Sequence, residues 1–151
     1  MILELSRGPH SRLLSPSLGA QCGSGWSGVV QKFLEDVDRI MPTEGGFKLD
    51  AISEKYGSLR LDYSLVGATS EIDDAIAIRE YVAESRSTIV CETCGSPGRM
   101  RGGPWTATRC DDHSEGRAAL REDLGTCETA TGRYRYDREQ DDAVPASEQS
   151  A

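Results

Sequence analysis

Cys91-Glu92-Thr93-Cys94-Gly95 and, after Arg109, Cys110-Asp111-Asp112-His113 are the two stretches whose reading decides how this chain is built. One is of C-x2-C form and the other of C-x2-H form. A tetrahedral ion takes four soft or borderline ligands, and a C-x2-C turn places two sulfurs on one side of it. A second such turn, brought alongside by a hairpin, supplies the other two. The intervening residues contain that hairpin: Gly102-Gly103 is a natural turn between short strands expected at 99–101 and 105–109. Gly95 stands where the backbone must fold tightly around a metal. The pattern predicts a zinc ribbon with Cys91, Cys94, Cys110 and His113 as ligands. A lone C-x2-C would equally fit a redox pair, but that chemistry expects a helix mouth in a βαβ unit and no matched second pair. Four protein ligands close the coordination sphere, so the zinc reads as structural. Three thiolates with a neutral His leave the site at net −1, which disfavours hydrolysis.

Outward from this cluster the periodicity is clear. Trp26, Val29, Val30, Phe33, Leu34, Val37, Ile40 and Met41 recur at helical spacing with charged residues between them, and Pro42 marks the stop. Phe47, Leu49 and Ala51, then Leu59, Leu61, Tyr63 and Leu65, alternate with polar residues around a Gly57-containing turn. That predicts an antiparallel hairpin with one face buried. Ser70 with Asp73 reads as a capping box opening a second helix to about Ser87. A short helix is expected through Ala118-Ala119-Leu120. The fold class is α+β: two helices and an antiparallel hairpin with a zinc ribbon at the end.

The flanks read differently. Residues 1–20 carry Gly8, Pro9, Pro16 and Gly19 without a period, and are expected to be a flexible arm, with Leu13-Leu14 the pair available to dock. Residues 121–151 are poor in apolar side chains and are expected to be a disordered acidic tail, dispensable beyond about 125. The body is then 21–120. Over the whole chain of 151 residues, 17 basic and 25 acidic side chains give −8, which argues against a generic binder of nucleic acid or anionic membrane. No run approaches a membrane helix, and the N-terminus lacks a signal-peptide pattern, so the expected compartment is the cytoplasm. Five cysteines cannot all pair within one chain, and clustered cysteines outside a secretory context indicate metal.

The remaining groups carry less. His10 reads as a solvated loop residue, and Cys127 as a free thiol in the tail. Cys22-Gly23-Ser24-Gly25-Trp26 lacks a Walker lysine and reads as a tight turn with a small buried Cys and a Trp anchor. Asp73-Asp74 and Asp111-Asp112 read as helix-start and solvated charges. Arg86, Arg99, Arg101 and Arg109 surround Trp105, and two readings stand: compensating charge with Trp105 filling a mini-core, or a small nucleic-acid-binding ribbon. No nucleophile and base can be paired, so no catalytic residue is assigned and no enzyme is expected. The turn at Glu54–Arg60 is the one other place for a cleft.

Three motifs occur in order: Cys22–Trp26, the hairpin Ser53-Glu54-Lys55-Tyr56-Gly57-Ser58-Leu59-Arg60, and the ribbon from Cys91 to His113. Together they resemble a family of small bacterial and prophage-encoded zinc-ribbon proteins of uncharacterised function, over residues 21–116. The chain departs from that pattern at Tyr56 and Ser58, where Phe and Gly are expected. The resemblance implies a cytoplasmic zinc protein and brings no activity. The expected function is a non-enzymatic interaction module binding an unidentified protein partner, with an inhibitor or adaptor of a mobile element as one setting. Nucleic-acid binding through the ribbon is the alternative, expected to be weak at physiological salt.

Overall fold

The computed structural model describes residues 1–43 and 45–147. A five-residue helix α1 (Ile2–Ser6) leads into strand β1 (Leu14–Gln21), helix α2 (Ser27–Ile40), the hairpin β2 (Gly46–Lys55) and β3 (Ser58–Val66), and helix α3 (Ser70–Ser87). The ribbon strands β4 (Arg99–Arg101) and β5 (Ala107–Arg109) follow, then β6 (Cys127–Thr129), β7 (Gly132–Asp137) and β8 (Asp142–Pro145). The α+β class, the two long helices, the hairpin and the ribbon are as the sequence predicts.

The core is one cluster. The α2 stripe of Val29, Val30, Phe33, Leu34 and Val37 meets Phe47, Leu49, Ile52, Leu59 and Leu61 of the hairpin and Ile76 and Ala83 of α3. Phe33 and Phe47 lie 6.1 Å apart, centroid to centroid, and Tyr63 stacks on Phe47 at 5.1 Å, within the range where aromatic pairs add to area burial. The hairpin closes through Tyr56 and Gly57, both at positive φ (53° and 81°), as a two-residue turn of the mirror-image kind requires. One detail departs from strict alternation. The register slips between Leu49 and Ala51, so Asp50 is an extra residue and Ile52, not Ala51, takes the next buried place.

Both flanks differ from expectation. Residues 14–21 are a strand, not a flexible arm: β1 runs parallel to β2, and α2 is the crossover that a parallel pair needs. Pro16 and Gly19 hide the strand from a periodicity reading. Pro16 is tolerated because β1 is at the sheet edge, and the register there is interrupted. Leu5, Leu13 and Leu14 are buried in the main core. Helix α3 begins one residue earlier than expected, with Thr69 Oγ1 accepting from the Ile72 amide at 3.3 Å. Residues 117–120 do not form a helix. They run beside β4, with the Leu120 amide donating to Met100 O and the Gly102 amide to Ala118 O.

The expected tail is instead a three-stranded antiparallel sheet, β6-β7-β8, packed on α3; residues 148–151 lie outside the described residues. Its anchors are polar, which is why apolar counting misses it. Asp141 accepts from Arg86 Nε and from Lys32 Nζ at 2.8 Å each, and from the Tyr136 hydroxyl. Arg79 donates to Asp142 at 2.7 Å, and Tyr81 Oη accepts from the Tyr136 amide at 2.9 Å. Arg86 is itself buried, so its charge needs this partner. Burial alone raises the Asp141 carboxyl, but hydrogen bonds from Arg86, Lys32 and Tyr136 outweigh it and hold the group well below the usual carboxylate range.

Two outcomes follow from this sheet. Truncation after Gly125 is expected to lower the thermal midpoint, by roughly 4–8 °C if about 2 kcal/mol is lost in a chain of this size; an unchanged midpoint contradicts the docking. Because the Asp141 carboxyl is depressed in the folded state, its stabilisation is fully present above its unfolded value and fades as pH falls below about 4. Urea midpoints between pH 6 and 3 are expected to fall less steeply for Asp141→Asn than for the natural chain.

Candidate metal centre

The first pair of ligands sits on a tight turn. The Gly95 amide donates to Cys91 O at 2.8 Å and the Cys91 amide to Ser96 O at 2.8 Å, with Val90 bridged to Pro97. Gly95 has φ +78°, and a Cβ there would stand 3.1 Å from Gly25 O, so both conformation and space call for glycine. The second pair leaves β5 at Cys110 and turns back, the Ser114 amide donating to Asp111 O at 3.3 Å. Between them β4 and β5 pair Arg99 with Arg109, Met100 with Thr108 and Arg101 with Ala107.

That hairpin brings Cys91, Cys94, Cys110 and His113 together, with all four donor atoms within 4.8 Å of one another. Cys94 Sγ and Cys110 Sγ are 3.8 Å apart, as are Cys91 Sγ and His113 Nδ1; Cys110 Sγ to His113 Nδ1 is 3.1 Å. A tetrahedron with metal–sulfur bonds of about 2.3 Å has an edge of about 3.8 Å, so the spacing of this set suits one metal ion. The same sulfur separation is far beyond a disulfide, and all five cysteines are free thiols. Burial pushes the Cys91 thiol up, but the backbone N–H groups of Cys110, Cys94 and Thr93 outweigh it and bring it down to about 6. The Ser96 hydroxyl and amide lower Cys94. These residues can hold a metal ion, and a thiolate, not a thiol, is the ligand.

The other sequence candidates fall elsewhere. Cys22 is half-buried beside the Glu92 carboxylate, its thiol pushed up to about 11 first by burial and then by that charge. Cys127 is half-buried on β6 and likewise raised by burial, with Glu80, Glu84 and Asp74 nearby. His10 is not free in solvent: its Nδ1 is 3.1 Å from Asp38. Glu54 accepts from the Gly57 amide at 2.6 Å and Arg60 pairs with Glu84 at 3.5 Å, so the turn at Glu54–Arg60 is a braced hairpin end. Asp111 is drawn into a pair with Arg101 at 2.6 Å.

The ribbon arginines are divided. Arg99, Arg101 and Arg109 line one small hollow with Cys110 and Asp111. Arg101 is buried and also donates to the Arg109 and Arg117 carbonyls, Arg109 pairs with Glu92 at 3.2 Å, and Arg86, on α3, is held by Asp141. Trp105 does not fill a mini-core. It is 60% exposed, with the Arg117 guanidinium 4.4 Å from its ring centroid and donating to its own carbonyl at 2.9 Å. The interior under the ribbon is supplied by Ala107 and Thr108, whose hydroxyl donates to Gly57 O at 2.6 Å.

The Cys22–Trp26 loop is the tight turn with a Trp anchor that the sequence predicts, though Cys22 is half-buried and not fully enclosed. The structure lays the loop on the metal turn. Trp26 is fully buried and donates its indole N–H to Val90 O at 2.8 Å, and the Gly25 amide donates to Glu92 O at 2.8 Å. The available signal was the pair of glycines, since a Cβ at Gly23 or Gly25 would lie 2.2–2.3 Å from a backbone oxygen of Glu92 or Cys91. No protein-family model matches the chain, and neither a curated protein nor a solved structure matches it.

Elemental analysis of protein purified without added metal is expected to give one ion per chain, and Cys94→Ser is expected to lose most of it. Full metal content in that variant would falsify the four-ligand assignment.

Proposed function

We propose that this chain is a non-enzymatic, zinc-stapled interaction module whose partner is another protein. Three thiolates and an imidazole at tetrahedral spacing suit zinc over harder divalent ions, and with four protein donors no position is left open for a substrate. The chemistry that zinc supplies here is structural: it holds the two turns of the ribbon together. The three motifs that carry the likeness to small bacterial and prophage zinc-ribbon proteins touch one another through Gly25–Glu92 and Gly57–Thr108, which supports reading them as one unit. A mobile-element inhibitor or adaptor acting in the cytoplasm is the setting that the likeness implies.

The observation that carries the protein-binding reading is a pair of exposed aromatics at the junction of hairpin and ribbon. Tyr56 is 76% exposed and Trp105 60%. They flank the place where a Cβ on Gly57 would lie 3.0 Å from the Thr106 side chain. Tyr56 holds a left-handed φ of 53°, a cost for a bulky residue, and Arg117 pins the Trp105 ring from one side. An exposed aromatic whose ring is already held, as Trp105 is by Arg117, is what protein interfaces use as a hot spot. The nucleic-acid alternative draws on the open face of Trp105, but Arg86, Arg101 and Arg109 are engaged with Asp141, Asp111 and Glu92.

Affinity capture from native lysate is expected to retain a protein through nuclease treatment, and to lose it with Tyr56→Ala/Trp105→Ala or after chelation. Capture that disappears with nuclease transfers the reading to nucleic acid, and capture indifferent to the double substitution refutes the aromatic surface.

A further inference from the structure

Glu92 lies between the first two ligands, yet its side chain faces away from them into the fold. It is 12% exposed and every part of it is bonded. Its Oε1 accepts from the Gly23 amide at 2.9 Å, and its Oε2 lies 3.2 Å from Arg109 Nη1. Its own amide donates to Thr108 O at 3.1 Å, and its carbonyl accepts from the Gly25 amide at 2.8 Å. Arg109 immediately precedes the third ligand, Cys110, and Glu92 immediately follows the first, Cys91. One carboxylate therefore spans both halves of the ligand set and ties them to the loop that starts α2.

We propose that Glu92 is a positioning residue for the metal centre: its carboxylate, held by Gly23 and Arg109, fixes the Cys91–Cys94 turn relative to Cys110 and so sets the affinity of the site for its ion. This rests on the metal-binding reading. Gly23 has an ordinary φ of −69°, so its glycine is required by proximity and not by conformation: a Cβ there would lie 2.3 Å from Glu92 O and 2.9 Å from its Cγ. The loop approaches the turn too closely for any side chain. Without the carboxylate, the Gly23 amide and the Arg109 guanidinium lose a shared, largely buried partner, and the two halves of the site are held in register by β4–β5 pairing and the backbone bond from the Glu92 amide to Thr108 O. Outer partners that orient metal ligands commonly change metal affinity by 10–100-fold when removed.

The test is a competition titration of the full chain with a chromophoric chelator, using zinc and then cobalt(II), on the natural sequence, Glu92→Ala, Glu92→Gln and Gly23→Ala. Glu92→Ala is expected to weaken zinc binding about 10- to 100-fold. Glu92→Gln keeps an oxygen for the Gly23 amide and is expected to recover most of that loss. Gly23→Ala, which forces the loop off the turn, is expected to weaken binding in the same direction and serves if Glu92→Ala does not fold. The cobalt spectrum is expected to stay tetrahedral with sulfur ligation in every variant that binds. A purely structural role would lower metal-free and metal-bound stability equally and leave the dissociation constant unchanged. Affinities of Glu92→Ala and Gly23→Ala within twofold of the natural chain, or a Gln variant as weak as Ala, overturn the proposal. If the natural chain binds neither metal, the metal-centre reading itself fails, which is a separate result.

Discussion

The close approach of the Gly23–Trp26 loop to the Cys91–Gly95 turn is the constraint on which the rest of this structure depends. Two amides of the loop reach the turn, an indole N–H reaches the residue before it, and glycines at 23 and 25 clear the space. The loop opens α2, whose apolar stripe fills the main core, and the turn carries half of the metal ligands. Ligand turn, loop and core are thus joined by hydrogen bonds over a few ångströms. A ribbon this short buries little apolar area of its own, so it needs both an ion and a body to lean on. The second lean is at Gly57, where Thr108 donates to the hairpin end.

The legible parts of the sequence were those written in periodicity and ligand spacing. The stripe from Val29 to Val37 and the alternation from Leu59 to Leu65 gave helix and hairpin, and the paired C-x2-C and C-x2-H gave a ligand set that the geometry gathers. The parts that were not legible depend on long-range polar pairing. Strand β1 alternates only weakly, with Leu14, Leu18 and Ala20 on the core side and Pro16 and Gly19 among them; it pairs with the edge that β2 offers, and α2 returns the chain parallel to it. The β6–β8 sheet looked like a solvated tail because its affinity for α3 runs through Asp141, Asp142, Tyr136 and their partners Lys32, Arg79, Tyr81 and Arg86. A count of apolar residues has no access to a carboxylate whose three partners are as far as 109 positions away.

The same sheet explains why α3 lacks a single clean apolar face. Ile76 and Ala83 join the main core, while Arg86, also buried, serves the C-terminal sheet through Asp141. Arg86 and Arg101 are buried, and Arg109 is largely so, each with an acidic partner. Three of the four basic residues expected to be available for a polyanion are thereby spent on holding segments together, and Arg99 stays exposed. The outside of the ribbon also carries an exposed aromatic, Trp105, backed by Arg117, beside the Tyr56 turn.

The central claim is that the metal holds more than the ribbon. The direct measurement is hydrogen exchange on the full chain, metal-loaded against chelated, read peptide by peptide. The account predicts lost protection at 88–113 and also at 22–30, where Gly23, Gly25 and Trp26 reach the turn, with β2 and β3 retaining theirs away from Gly57. Unchanged exchange at 22–30 while 88–113 opens would contradict it, because the loop would then fold without the metal turn that it touches.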